Sequence, residues 1–118
     1  MASMTRLYSG VPVTDRAAAR DWYAAFFGRP ADEVVGGEEL WRISDTAWVF
    51  VDEIPDRAGH ALLTLEVEGL DGILARLAAH DIGHEPVETY ANGVRHVTVV
   101  DPDGNSLSLA EAPAEPAG

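Results

Sequence analysis

Cysteine is absent from the 118 residues, which excludes disulfides, a thiolate nucleophile and any cysteine-based zinc site. Basic residues are scarce: eight Lys and Arg stand against twenty Asp and Glu, for a formal charge of −12 at pH 7. Such a balance repels nucleic acid phosphates and anionic membrane surfaces, so neither is an expected partner. No apolar run approaches the roughly twenty residues of a membrane-spanning helix, and no basic-then-apolar leader opens the sequence. Together with the missing cysteines, this places the expected location in the cytoplasm. The acidity suits solubility, and in a cleft it would also attract a cationic small molecule. One charge pair about 6 Å apart at an effective dielectric of about 20 contributes up to roughly 3 kcal/mol.

What is present is enough for one domain with a sizeable core. The stretch Val94 to Leu109 organises the rest: two alternating apolar and polar runs flank Asp101-Pro102-Asp103-Gly104-Asn105, all turn formers, which reads as a β-hairpin. Toward the start, alternation over Leu7 to Val13 predicts a strand with Leu7, Val11 and Val13 on its buried face. Asp15 is the natural N-cap of a helix over Arg16 to Phe27, whose Ala19, Trp22, Tyr23 and Phe26 form a core stripe. Gly28 and Pro30 stop it. Strands follow at Glu39 to Ser44, after the Gly36-Gly37 turn, and at Ala47 to Glu53. A connector, Ile54 to Gly59, then lets the pattern restart. It runs through a strand from His60 to Val67, a helix from Leu70 to His80 stopped by Gly83, and strands at Glu85 to Tyr90, Val94 to Val100 and Ser106 to Ala110.

Val13 overlays Val67, and Tyr8 overlays Leu62, so a strand-helix-strand-strand-strand unit occurs twice. The expected organisation is a frayed 1–5, one domain over 6–111 built from units 6–56 and 57–111, and a disordered tail over 112–118 that contains Pro113 and Pro116. Strand parity sorts the side chains into two sets. Val11, Val13, Val49, Val51, Ala61, Leu63, Leu65, Val67, Val97, Val99, Leu107 and Leu109 form an aliphatic face. The opposite face carries Tyr8, Trp48, Phe50, Asp52, His60, Leu62, Thr64, Glu66, His96, Thr98, Ser106 and Ser108. An aliphatic face needs only a core, whereas a mixed aromatic, hydroxyl and imidazole face is typical of a small-molecule pocket.

These features resemble the vicinal oxygen chelate superfamily, which includes glyoxalase I, extradiol dioxygenases and bleomycin resistance proteins. The likeness rests on Val13-x-Asp15 before an aromatic helix ending Phe26-Phe27-Gly28, the second unit starting at His60 to Val67, and Gly93-Val94-Arg95 leading into Asp101 to Asn105. The resemblance implies an α+β fold in which two βαβββ units form curved mixed sheets around a cup, with helices on the outside, and a homodimer. Enzymes of the superfamily hold a metal ion on the first and last strand of each unit. Those positions fall here on Tyr8, Phe50, Leu62 and Ser108, none of them a usual divalent-metal ligand, so neither a metal nor another cofactor is expected.

The reading closest to these features is the bleomycin resistance branch, a metal-free protein that sequesters a planar or cationic natural product. Its expected ligand-binding residues are Tyr8, Trp48, Phe50, Asp52, His60, Leu62, Glu66, His96, Ser106 and Ser108. Trp48 and Phe50 would stack on the ligand, although they would equally fill the cup or a dimer seam. Asp52 and Glu66 pair with a cationic group or stand as rim charges, and the parity of Arg95 assigns it to a structural salt bridge. The alternative is an enzyme of the same fold, a lyase or isomerase. It would use His60, His96 or Glu66 in acid-base chemistry, or those three as a non-standard metal site.

Overall fold

A computed structural model describes residues 1–114 of the chain, and residues 115–118 of the expected tail lie outside the described residues. Strand Leu7–Val13 (β1) leads into helix Arg16–Phe27 (α1). The Asp15 carboxylate accepts from the Ala18 N–H at 3.1 Å, satisfying a donor the first turn leaves open. The helix ends where Gly28 takes a φ of 80°, a left-handed conformation that a side chain disfavours. Strands Glu33–Val35 (β2), Glu38–Ser44 (β3) and Ala47–Glu53 (β4) complete the first unit. A 3-10 turn, Pro55–Arg57, connects it to Leu62–Val67 (β5), Leu70–Ala79 (α2), Glu88–Thr89 (β6), Arg95–Val100 (β7) and Ser106–Glu111 (β8).

The duplicated βαβββ order yields two mixed sheets, β1-β4-β3-β2 and β5-β8-β7-β6. In each, the first and last strands of the unit pair in parallel and the remaining pairs are antiparallel. The sheets stay separate and open, each with one helix-covered face. The aliphatic sets of both units, from Val11 to Leu109, join Tyr23, Phe26, Trp41, Leu70 and Leu77 in one continuous core. This burial of apolar area is the main stabilising term, at about 25 cal/mol per Å². Glu39 is buried beside that core: it is only 2% exposed and is held by the Arg20 guanidinium at 2.7 Å.

The two units are joined by the turn between β7 and β8. Asp101 and Asn105 are buried there and hydrogen-bonded throughout. Asp101 Oδ1 accepts from the Asp103 and Asn105 N–H groups at 3.0 and 2.8 Å, and Oδ2 accepts from the Tyr23 hydroxyl at 2.7 Å. The Asn105 amide donates to the Pro12 carbonyl at 2.9 Å, while its oxygen accepts from Gly59 and Ala61 at 3.1 and 2.9 Å. The Asp103 carboxylate takes the Thr14 hydroxyl at 2.6 Å and the Thr14 N–H at 3.1 Å. On the far side of the same seam Arg76 of α2 donates to the Phe26 carbonyl at 2.6 Å, capping α1 from the other unit.

Several boundaries depart from expectation. Leu7 is exposed, whereas Val11 and Val13 further along the same strand are buried. β5 begins at Leu62, leaving His60 in the exposed connector, since the Ala61 N–H is taken by the Asn105 side chain rather than by a strand neighbour. β2 was not anticipated. It is three residues long, too short for alternation to show, although Gly36-Gly37 between Val35 and Glu38 is a two-residue hairpin turn. The strand expected over Glu85 to Tyr90 shrinks to Glu88–Thr89. Helix α2 stops before Gly83: Asp81 takes a φ of 58° and the Ile82 N–H turns back to Leu77.

Asn105→Ala would strand two half-buried N–H groups and a carbonyl, with an expected loss of about 3 kcal/mol in urea unfolding. A loss below about 1 kcal/mol would count against the turn as the joint. The Tyr23 phenol is pushed far above its ordinary value, chiefly by burial, then by its hydrogen bond to Asp101 and the nearby charges of Asp101 and Asp103. The unfolded chain releases this proton above about pH 10 and the folded chain does not. The stabilisation is therefore complete below about pH 10 and declines as pH rises beyond it. Urea midpoints should fall between about pH 9.5 and 11, and the fall should be shallower in Tyr23→Phe.

Candidate functional site

The face of each sheet turned away from the helices is concave and open. On the first unit, register sets the side chains in rows across the strands: Tyr8, Trp48 and Arg42 form one, and Gly10, Phe50, Leu40 and Glu33 the next. Tyr8 and Trp48 stand side by side with ring centroids 6.2 Å apart and planes 16° from parallel. Together with Phe50, Leu40, Val35, Glu33 and Glu38 they line a hollow of about 440 Å³. That volume and its largely apolar wall suit a drug-sized organic molecule. The carboxylates of Glu33 and Glu38 give its rim a negative sign, and no cation is among its lining residues. Arg42, next in the row to Trp48, is held away by the Asp45 carboxylate and the Ser44 carbonyl. Asp32 anchors this strand from outside. The Arg42 N–H, and then the Arg29 guanidinium, hold its carboxyl below the usual range.

On the second unit the rows are Leu62 with Ser106; Thr64 with Ser108 and Thr98; and Glu66 with Ala110, His96 and Glu88. The hydroxyls of Thr98 and Ser108 lie 3.0 Å apart, and the His96 ring stacks on Tyr90 at 5.6 Å. Leu62 projects from this surface and is 82% exposed. The expected site residues therefore fall into two groups rather than one lining. Tyr8, Trp48 and Phe50 belong to the first concave face and Leu62, Glu66, His96, Ser106 and Ser108 to the second, with the shared core between them. Asp52 pairs in register with Pro12 at the far end of β4 and is not part of the hollow, and His60 is on neither strand face. The sequence reading missed Glu33, Val35, Glu38, Leu40 and Tyr90, all of which reach the faces through β2, β3 or the loop after β6. Arg95, as expected from its parity, pairs with Asp71 at 2.8 Å and Glu111 at 3.4 Å.

No family profile matches the sequence, and no curated protein matches it. Among solved structures, a glyoxalase/bleomycin resistance protein from Catenulispora acidiphila DSM 44928 is 38% identical, with a TM-score of 0.84 over 92% of this chain and 98% of that chain. This chain belongs to the glyoxalase/bleomycin resistance protein family, within the vicinal oxygen chelate superfamily. A lactoylglutathione lyase from Agrobacterium tumefaciens has the same fold at 18% identity, with a TM-score of 0.71 over 89% of this chain and 91% of that one. The oxidase ChaP-H2 has it at 16% identity, with a TM-score of 0.77 over the full length of both chains.

The residues of this family member do not fit the metal site of the superfamily's enzymes. The resemblance carries that site's ligand positions to Tyr8 and Phe50 in the first unit and to Leu62 and Ser108 in the second. Leucine and phenylalanine have no lone pair, and a neutral phenol and a hydroxyl are poor ligands for a divalent ion. His60, Glu66 and His96 do not replace them: among the described residues no group of three His, Asp or Glu is placed to hold a metal. Equilibrium dialysis against zinc, nickel and manganese, each at about 10 μM, is expected to leave well under one ion per chain. Stoichiometric retention of any of them would overturn this assignment.

Proposed function

We propose that this family member is a metal-free binding protein that captures a planar or cationic organic molecule, in the manner of an antibiotic-sequestering resistance protein. The observation that carries this reading is the first-unit hollow, with the rings of Tyr8, Trp48 and Phe50 inside and the carboxylates of Glu33 and Glu38 at its mouth. Aromatic faces gain about 0.5–1.5 kcal/mol per stacked ring beyond burial, and they attract organic cations through the negative face of the ring. The carboxylates add attraction for the same charge, and the overall −12 acts in the same sense at longer range.

We further propose that a second copy of the chain completes the site. Tyr8 on one face and Leu62, Tyr90 and Val100 on or beside the other are large apolar side chains left exposed in a single chain. The shared helix-side core prevents the two faces from closing on each other. A two-fold dimer with the first-unit face against the partner's second-unit face covers both, twice over by symmetry. The hydroxyls of Ser106, Ser108 and Thr98 and the imidazole of His96 then stand across from the aromatic hollow. His96 on Tyr90, with Glu66 in its row, is the feature that favours the second reading, acid-base catalysis on the captured molecule.

Titration with a bleomycin-type glycopeptide, a mitomycin-type quinone and a planar aminoanthraquinone, followed by calorimetry, tests the binding reading. At least one is expected to saturate, with Trp48→Ala weakening it about fivefold, the worth of one stacking contact. Absence of saturable binding to all three would remove the proposal. Sedimentation is expected to give a dimer that Leu62→Glu dissociates. Unchanged binding in His96→Ala, with no product formed by the wild type, separates capture from catalysis.

A further inference from the structure

Gly10 lies in the middle of β1, where a glycine weakens a strand and calls for a reason. The backbone does not supply one, because Gly10 is not among the glycines with positive φ. The reason lies across the parallel pair. Gly10 is the register partner of Phe50, and a Cβ placed on it would stand 2.5 Å from Cζ, 2.8 Å from Cε2 and 3.1 Å from Cε1 of that ring. Three ring carbons within such reach mean that the phenyl group leans across onto the β1 backbone, in the space a side chain would fill. It lines the hollow together with Tyr8, Trp48 and Leu40.

The second unit provides an internal comparison. Overlaying Tyr8 on Leu62 carries Gly10 to Thr64, whose partner is Ser108. A large ring faces an absent side chain in one unit, and two small hydroxylated side chains face each other in the other. We propose that Gly10 is a specificity-determining residue of the first-unit hollow: it keeps Phe50 lying down, and so presents a flat aromatic floor to ligands built on a fused planar ring system. A methyl group at position 10 leaves the strand backbone unstrained and lifts the ring. The sheet blocks movement downward, so the displaced phenyl rises into the hollow and takes the place of the ligand. The inference rests on the binding reading above, and it adds the ligand's shape and the residue that selects for it.

The test uses 9-aminoacridine as a planar cation and cyclohexylammonium as a compact one, with the full chain and its Gly10→Ala, Phe50→Ala and doubly substituted forms. Gly10→Ala is expected to weaken 9-aminoacridine about tenfold, the scale of one lost stacking floor, while leaving the compact cation within about twofold. In the Phe50→Ala background the same substitution should have no further effect, which a merely structural role of Gly10 would not produce. Equal affinity of wild type and Gly10→Ala for 9-aminoacridine would overturn the inference and leave the binding reading standing. No binding by the wild type would overturn both the acridine-type ligand class and the flat-floor specificity. A ligand-free readout tests the ring placement separately: the Gly10 α-protons should be shifted upfield by the Phe50 ring and return to ordinary values in Phe50→Ala. Ordinary shifts in the wild type would also overturn the inference.

Discussion

The buried turn from Asp101 to Asn105 is the constraint on which the arrangement of the two units depends. A hairpin turn is normally solvated, and here its two key polar side chains are enclosed, with Asn105 fully buried. Enclosure is tolerable because their hydrogen-bonding groups find partners, and those partners come from β1, α1, the connector and the turn itself. A buried polar network of this kind is directional where hydrophobic burial is not, so it selects one relative placement of the two sheets. Arg76 on the Phe26 carbonyl and the common aliphatic core hold the same placement from the helix side.

That placement has a functional consequence. With both helices and both aliphatic faces engaged in one core, the concave faces point away from it and remain open. The first face carries rings, Leu40 and rim carboxylates, and the second carries hydroxyls, an imidazole and Leu62. The resemblance carries the metal-ligand positions of the superfamily's enzymes to Tyr8, Phe50, Leu62 and Ser108, whose side chains are poor ligands or none for a divalent ion. The proposed capture would draw on both the rings and the carboxylates.

Within the first face, size complementarity acts at the level of single atoms. Phe50 occupies volume that Gly10 leaves free, with the Tyr8 ring on β1 and the Trp48 ring on its own strand β4 beside it. Strand register, a backbone property, is what brings an absent side chain and a large ring to the same level. The second unit solves the same geometry with Thr64 and Ser108, and its floor is polar.

The sequence by itself determined both helices, the longer strands and the facing of their aliphatic positions. Alternation separated the twelve aliphatic positions from the mixed ones, and every aliphatic position lies in or against the core, because a period of two admits only two faces. The capped aromatic helix from Arg16 to Phe27 and the salt-bridged role of Arg95 were legible for the same local reason. Only the tertiary structure decided that Tyr8 and Leu62 belong to separate hollows, that Asp52 and His60 contribute to neither, and that Glu33, Glu38 and Leu40 complete the first. Those outcomes depend on strand order, register and the packing of one unit on the other. They arise from contacts between residues far apart in the chain, which no local periodicity encodes.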